Sequence, residues 1–229
     1  MKLRQLILCT LLLCPLPSIA QNNDFGTEYE LSYSLKPWKG GELSLSEELR
    51  LKDNSRRYAK SETGIMLQHA LLRHTLRNLD MKWRIGGGYS FINRQSQQYQ
   101  ISNQHRFTLQ SSLTKDWRDW RFGFRTRMQT TLRNPNTGSY SDNPQTYLRI
   151  RLSARHSIPN SPWTIALSEE GFACIFRPKG TRIDECRTML SATYDIDHRK
   201  ALTIYAKLSQ EFQVKKPETF YALGLSLNL

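Results

Sequence analysis

The sequence predicts an all-β fold, an antiparallel up-and-down transmembrane β-barrel of about 10 to 12 strands. A short basic and apolar leader comes first, and eleven segments that alternate apolar and polar residues follow it. The last segment, residues 221–229, carries an apolar residue at every second position. Strand side chains alternate between two faces, and inside a bilayer only a closed barrel satisfies the backbone of a sheet. One face in lipid and one in water therefore fits the pattern.

The leader, residues 1–20, has the features of a secretion signal. Lys2 and Arg4 are basic, residues 6–14 form a short apolar core, and Ser-Ile-Ala ends the segment with small residues. We expect cleavage after residue 20. The mature domain, residues 21–229, would then be a barrel at the cell outer membrane.

Two other kinds of membrane attachment fit less well. Lipidation at Cys14 would need small residues before it, and Leu11-Leu12-Leu13 precedes it instead. Beyond residue 20 no stretch approaches the roughly 18 apolar residues that a spanning helix requires. The sequence therefore favours strands as the elements that cross the bilayer.

The charge balance limits the kinds of partner. Lysine and arginine total 33 against 20 acidic residues, for a formal net charge of +13. An exported chain has no access to nucleic acid, and the charges occupy alternate strand positions rather than one basic tract. We expect outer-membrane lipid as a partner, a small anionic solute as a possible one, and no nucleic acid.

Each strand is predicted from its alternation and from the turn residues that bound it. We expect strands at about 25–36, 42–52, 61–73, 80–93, 100–114, 119–133, 145–156, 163–176, 183–196, 201–213 and 219–229. Tight turns are expected at 37–41, 77–80, 115–118, 159–162 and 197–200, and longer loops at 53–60, 94–99, 134–144 and 177–182. Bacterial single-chain barrels have an even strand number. We therefore expect ten or twelve strands, with either one strand missed or 25–36 outside the wall.

Aromatic residues cluster near the proposed strand ends, as in the two aromatic belts of membrane proteins. Every tryptophan lies near a predicted tight turn: Trp38, Trp83, Trp117, Trp120 and Trp163. The opposite ends carry Tyr89, Phe91, Phe172, Phe176, Phe212, Phe220 and Tyr221. The alternative is that these rings form the core of a soluble sandwich. The placement of all the tryptophans at one end favours the membrane.

The polar face is rich in arginine, and it predicts a charged lumen. The expected cluster is Glu48, Arg50, Arg121, Arg125, Arg127, Arg149 and Arg151. Buried guanidinium groups need acceptors, which Glu48, Glu169, Glu170, Glu185 and Glu211 would supply in ion pairs. The alternative is an arginine lining that attracts anions into a pore.

The mature chain keeps two cysteines, Cys174 and Cys186, equally far from Gly180. Strands that fold back about Gly180 would place them opposite each other, and we expect a disulfide, as is usual outside the cytoplasm. A metal would need two further ligands, and neither a histidine nor another cysteine is close in sequence. No metal or cofactor is expected.

Catalytic residues are not evident, and we expect no enzyme. His69, His74, His105, His156 and His198 are each isolated from a nucleophile motif. Ser153 with His156, or Ser102 with His105, could be imagined as pairs. In a serine-rich chain such proximity arises by chance, and Ser153 and His156 would lie on opposite faces of a strand.

Several runs together resemble the uncharacterised outer-membrane barrel family catalogued as domain of unknown function 2490. They are residues 43–57, 86–91, 105–107, 124–129, 205–211 and 217–225. The resemblance covers about 25–229 and implies a barrel at the outer membrane of the Bacteroidetes type, with no established activity to transfer.

The sequence thus favours an outer-membrane barrel that is either structural or a narrow pore with an arginine-rich lumen. One alternative is a periplasmic lipid-binding barrel with its apolar face inside, and another is a lipid-modifying enzyme of the outer membrane. The direction of the apolar face separates the first alternative from the others.

Overall fold

A computed structural model describes residues 22–96, 99–133, 144–175, 182–212 and 217–229. Within them the chain forms eleven strands and one short helix. These are β1 (Asn22–Leu35), β2 (Gly41–Lys52), β3 (Arg57–Leu71), α1 (Arg73–Arg77), β4 (Met81–Gln95), β5 (Ile101–Trp117), β6 (Trp120–Arg133), β7 (Gln145–Ser157), β8 (Trp163–Ile175), β9 (Arg182–Asp195), β10 (Ala201–Glu211) and β11 (Glu218–Asn228). Each strand pairs with its sequence neighbours, and the sheet closes into a barrel. The predicted fold class is confirmed.

The barrel closes through a parallel pair, β1 with β11, in a register that runs from Asn22 opposite Glu218 to Ser32 opposite Asn228. All other strand pairs are antiparallel. The expectation of ten or twelve strands was wrong, and β1 is a full member of the wall. In a meander with an odd strand number the first and last strands point the same way, so parallel pairing removes both open edges.

The apolar side of each strand faces outward. Leu109 and Leu152 are each 59% exposed, whereas Glu28 and Glu170 on the other face are 2% and 1% exposed. The same division holds along the last strand, where Leu223 and Leu225 lie outside and Ala222 lies inside. This is the orientation of a barrel surrounded by hydrocarbon, and it is opposite to that of a soluble barrel with an apolar core.

We name the two ends of the barrel by their connections. The turn rim carries the connections at 36–40, 72–80, 118–119, 158–162 and 196–200, and the loop rim carries those at 53–56, 96–100, 134–144, 176–181 and 212–217. Two expected lengths differ from the structure. The connection after β2 has only four residues, with Asp53, Asn54 and Ser55 in the left-handed region. The connection after β3 contains α1. In the described part of the chain no helix is long and apolar enough to cross a membrane.

The turn after β9 is held by the side chain of Asp197. Asp197 Oδ1 accepts hydrogen bonds from the backbone N–H groups of Arg199 at 2.7 Å and Lys200 at 2.9 Å. These backbone donors hold the pKa of Asp197 below its ordinary value because they stabilise the ionised carboxylate. This short turn connects β9 directly to β10.

The tryptophans lie at the turn rim, but the opposite aromatic belt is incomplete. Phe172 is 8% exposed and points into the lumen, where Phe220 also lies beneath Arg50. The interpretation of these two rings as lipid-facing was therefore wrong, since each occupies an inward position of its strand. Tyr89 and Tyr221 do face outward. Phe176 is outside the described residues, as are residues 1–20, the predicted leader.

The predicted disulfide between Cys174 and Cys186 was wrong, since both are thiols. Cys186 lies opposite Gly171, and a bulge next to Phe172 shifts the register beyond it. The hairpin therefore does not fold symmetrically about Gly180. Cys174 shares the inner face with Phe172, whereas the Cys186 thiol donates to Glu169 on the outer face. The wall separates the two sulfur atoms.

Candidate functional site

A chain of alternating charges crosses one side of the lumen from β10 to β5. Glu28 accepts from Lys207 and from Tyr205 Oη at 3.0 Å, and its Oε1 is 2.6 Å from Arg50 Nε. Arg50 reaches Glu48 at 3.3 Å, and Lys60 bridges Glu48 at 3.1 Å to Glu62 at 2.9 Å. Arg106 ends the chain with a 2.9 Å contact to Glu62. We call the seven charged residues among them the lumen ladder, to which Tyr205 donates without being a member. It links β10, β1, β2, β3 and β5.

A second group of charges surrounds Glu170 on β8. Its carboxylate contacts Arg125 on β6 at 2.9 Å and, on β7, Arg149 at 2.8 Å and Arg151 at 3.9 Å. We call these four residues the Glu170 cluster. One carboxylate serves three guanidinium groups, so the cluster keeps an excess of positive charge. The Nε–H groups of Arg125, Arg149 and Arg151 have no acceptor within the described part of the chain.

An aromatic ring separates the Glu170 cluster from a third ion pair. The guanidinium of Arg149 lies 4.3 Å from the Phe172 ring centroid, and that of Arg187 lies 4.6 Å from it. Arg187 also contacts Glu185 at 2.8 Å. Stacking on an aromatic face holds an arginine without neutralising it. The Phe172 ring therefore contacts one guanidinium from each group, Arg149 and Arg187.

The loop-rim half of the lumen contains a polar cavity of about 540 Å³. Members of the lumen ladder line one side, including Arg50, Lys60 and Arg106, and Arg149 and Arg187 line the other. We call this space the loop-side vestibule. Its walls come from nearly every strand, because inward residues follow one another around the barrel.

Two arginines in the vestibule have no carboxylate partner among the described residues. Arg127 donates to Gln110 Oε1, at 3.0 Å through Nε and 2.6 Å through Nη2. The Arg94 side chain is exposed to the lumen near the loop rim and forms no hydrogen bond or ion pair with the described residues. Their charge can act on a solute, because neither guanidinium forms an ion pair with a carboxylate in the described part of the chain.

Arg121 lies apart from the other expected lumen residues. It pairs with Asp116 at the turn rim, which also holds Lys82 at 3.2 Å. The other six are divided among the three groups described: Glu48 and Arg50 in the ladder, Arg125, Arg149 and Arg151 around Glu170, and Arg127 beside Gln110. The expected single cluster is thus several separate ones.

Glu169 was expected in the lumen, and that expectation was wrong. It lies on the outer wall, where it accepts from Cys186 Sγ at 2.7 Å and Thr188 Oγ1 at 2.6 Å. Its neighbour Glu170 points inward because successive strand residues alternate. Glu185 pairs with Arg187, and Glu211 accepts from the backbone of Glu218 at 3.3 Å.

The serine and histidine pairs considered for catalysis do not form. Ser153 Oγ donates to the Gly123 carbonyl at 3.5 Å, whereas His156 stacks on Trp120 with ring centroids 4.6 Å apart. Ser102 donates to the Arg94 carbonyl, and His105 contacts Tyr89 Oη at 2.7 Å. Within the described ranges no three histidine, cysteine or acidic side chains group as metal ligands would.

The comparison with protein families gives a match over residues 27–218 to the family described as "Protein of unknown function (DUF2490)". The match spans most of the wall, from β1 to the start of β11. The chain belongs to the DUF2490 family. The resemblance noted from the sequence is confirmed.

No curated protein matches this DUF2490 chain. Among solved structures it is similar to the anion-selective porin from Comamonas acidovorans, with 8% identity and a TM-score of 0.36. The similarity covers 85% of this chain and 54% of the porin, so the chain spans about half the length of that protein.

Sequence reasoning missed several members of the DUF2490 lumen, and three of them lie at the closing strands: Glu28, Tyr205 and Lys207. They meet across the closing strands although Glu28 and Lys207 are 179 positions apart in sequence. Each occupies the polar phase of its strand, so alternation alone places it inside. Their contact depends on the pairing of β1 with β11, which the sequence pattern did not reveal.

Proposed function

We propose that this chain is an integral outer-membrane β-barrel whose lumen is a narrow, anion-attracting pore. The supporting observation is a wall that is apolar outside and strongly charged inside. An exposed leucine belt is stable in hydrocarbon and would cause aggregation in water. The short connections of the turn rim fit the periplasmic side of such a barrel.

The preference for anions follows from the uneven pairing of charges. The lumen ladder has four cations for three carboxylates, and the Glu170 cluster has three for one. Arg94 and Arg127 add guanidinium groups without carboxylate partners among the described residues. An excess of fixed positive charge in a confined lumen raises the local concentration of anions and lowers that of cations.

The dimensions indicate a small solute. Side chains already fill much of the interior of an eight-stranded barrel, and the diameter grows roughly linearly with strand number. Members of the ladder and the Arg149 side chain line the vestibule of about 540 Å³ and narrow it. We infer passage of small anions such as chloride, phosphate or short carboxylates.

Membrane extraction tests the location. We expect the mature protein to stay in the membrane pellet after alkaline carbonate or high salt and to dissolve in detergent. Release by carbonate without detergent would contradict an integral barrel and favour the periplasmic alternative.

Planar-bilayer recording tests the pore. In a chloride gradient the wild-type protein should give a reversal potential of the sign for anion preference. Arg94→Gln should lower that preference because it removes a charge with no carboxylate partner in the described structure. Arg121→Gln is the matched control, since Arg121 pairs with Asp116 at the far rim. Absence of current in several preparations would contradict the pore and leave a structural barrel, which the ion pairs across the lumen favour.

A further inference from the structure

We propose that an anionic phospholipid binds in a groove on the outer wall, with an acyl chain along the barrel and its headgroup at the turn rim. The groove has a volume of about 610 Å³. Its lining includes Trp38, Leu67, Gly87, Leu109, Met128 and Leu148. We call it the outer groove. This inference rests on the proposed membrane location, because only then does the outer wall face lipid.

Small residues on three neighbouring strands form the floor of the outer groove. Gly87 on β4, Ser111 on β5 and Thr126 on β6 occupy outward positions where other strands carry large apolar side chains. Ser111 pairs with Thr126, and Gly87 pairs with Leu109. Ser111 itself pairs with Ile85 on β4, so Gly87 lies diagonally from Ser111. The Ser111 and Thr126 pair and Gly87 therefore leave two adjoining gaps in side-chain volume.

A cross-strand row of outward residues borders the Ser111 and Thr126 positions, and Gly87 is the gap in that row. Leu67, Gly87, Leu109, Met128 and Leu148 follow one another across β3 to β7 in the pairing register. A row across tilted strands climbs obliquely around a barrel. The depression therefore runs from the turn rim toward the middle of the wall, which suits a flexible hydrocarbon chain better than a rigid ring.

A side chain would fit at position 87, where the sequence has glycine. A Cβ added there would meet Leu109 Cδ2 and the Thr108 carbonyl oxygen at 3.8 Å, which are ordinary contacts. The adjacent glycine, which faces inward, does not share this freedom: a Cβ at Gly88 would lie 2.7 Å from the Ile65 carbonyl oxygen. The backbone packing does not require glycine at position 87, so the space beside it is open to an acyl chain.

The turn-rim end of the outer groove is polar and basic. Trp38 Nε1 donates to His69 Nδ1 at 3.2 Å, and both residues line the groove. Lys36 and Lys39 are exposed on the same turn as Trp38. Tryptophan prefers the headgroup level, and lysines near the surface attract anionic lipid. A rim of short turns faces the periplasm, so the lipid is a phospholipid of the inner leaflet.

Native mass spectrometry of the detergent-solubilised full barrel tests the inference, with phosphatidylglycerol as the probe. We expect one retained phosphatidylglycerol per wild-type barrel. Gly87→Leu should lower its apparent affinity about tenfold or more, because the new side chain displaces several methylene groups from the groove. Gly171→Leu is the matched control. It also faces outward and has no atom within 4 Å of an added Cβ, but it does not line the groove.

Equal retention by Gly87→Leu and the wild type, or equal loss in both leucine variants, would overturn the inference. If Gly87→Leu fails to fold, Thr126→Leu fills the same floor from β6 and should give the same loss. Headgroup specificity is tested with phosphatidylcholine, which should bind more weakly, and with Lys36→Gln/Lys39→Gln, which should remove the difference. Equal binding of both phospholipids to the wild type would overturn the headgroup assignment. Carbonate extraction of the membranes from which each protein is purified tests the proposed membrane location separately.

Discussion

Two adjacent residues of β8, Glu169 and Glu170, place carboxylates on opposite sides of one wall. Glu170 is 1% exposed and contacts three arginines in the lumen. Glu169 faces outward between Leu152 and Thr188 of the adjoining strands, and its donors are a hydroxyl and a thiol. The difference shows that the two faces stabilise a carboxylate differently, by charge inside and by neutral donors outside.

The outer wall repeats this solution on the far side of the barrel. Glu47 on β2 also faces outward, and Thr63 Oγ1 donates to it at 2.5 Å. Among the described residues, the middle of the outer wall carries no lysine or arginine. In the proposed membrane location a cation there would face hydrocarbon, which costs about 2–4 kcal/mol near the midplane. Threonine supplies a hydrogen bond without that cost.

The largest expected effect is on the inner carboxylate. Glu170→Gln removes the only carboxylate that contacts Arg125, Arg149 and Arg151 in the described structure. We expect the free energy of unfolding to fall by about 3–5 kcal/mol, because breaking a buried ion pair leaves uncompensated charge. Urea unfolding in lipid vesicles, followed by tryptophan fluorescence, measures it. A loss as small as that of Glu169→Gln would contradict the comparison.

A smaller loss of stability is expected at the closing strands. A change at the partner of Glu28 shows whether another lumen carboxylate contributes to stability as Glu170 does. Tyr205→Phe removes the 3.0 Å hydrogen bond to Glu28 and keeps the ring. We expect a destabilisation of about 1.5–3 kcal/mol, typical of a hydrogen bond to a charged group. Tyr194→Phe at the turn rim, where the ring packs on Trp163, is the control and should change stability little.

The outer carboxylate should tolerate neutralisation. Glu169→Gln keeps one acceptor oxygen for Thr188 or Cys186 and removes a charge from the outer wall. We expect the free energy of unfolding to change by less than about 1 kcal/mol. The same unfolding assay measures it, and Glu47→Gln should behave alike. A loss equal to that of Glu170→Gln would show that Glu169 has a charged partner.

The smallest effect on stability is expected at Arg127. The same change should alter the selectivity of the pore for anions. Arg127→Gln removes a guanidinium whose described partner is a neutral amide, so no carboxylate loses its ion pair. Stability should change by less than about 1 kcal/mol, while the reversal potential should shift toward lower anion preference. If selectivity is unchanged, the excess positive charge of the lumen does not select anions and has a structural role only.

The strands and their faces were predictable because they depend on local alternation. Leu43, Leu45 and Leu49 alternate with Ser44, Ser46 and Glu48, and a period of two assigns each to a face without knowledge of its partners. The same rule would have placed Glu169 outside, since it shares its phase with Leu167. Its assignment to the lumen ignored the alternation that predicted the barrel.

The sequence by itself determined that strands form the wall and that leucine and arginine lie on its opposite faces, since these properties follow from the order of residues along each strand. The exposure of the leucines in the structure decided which face points outward. Only the tertiary structure decided the closure of β1 on β11, the bulge that separates Cys174 from Cys186, and the partners of each lumen charge. Those depend on register and strand number, which are set by the whole closed sheet. A shift of one residue would leave every local pattern intact and change every contact.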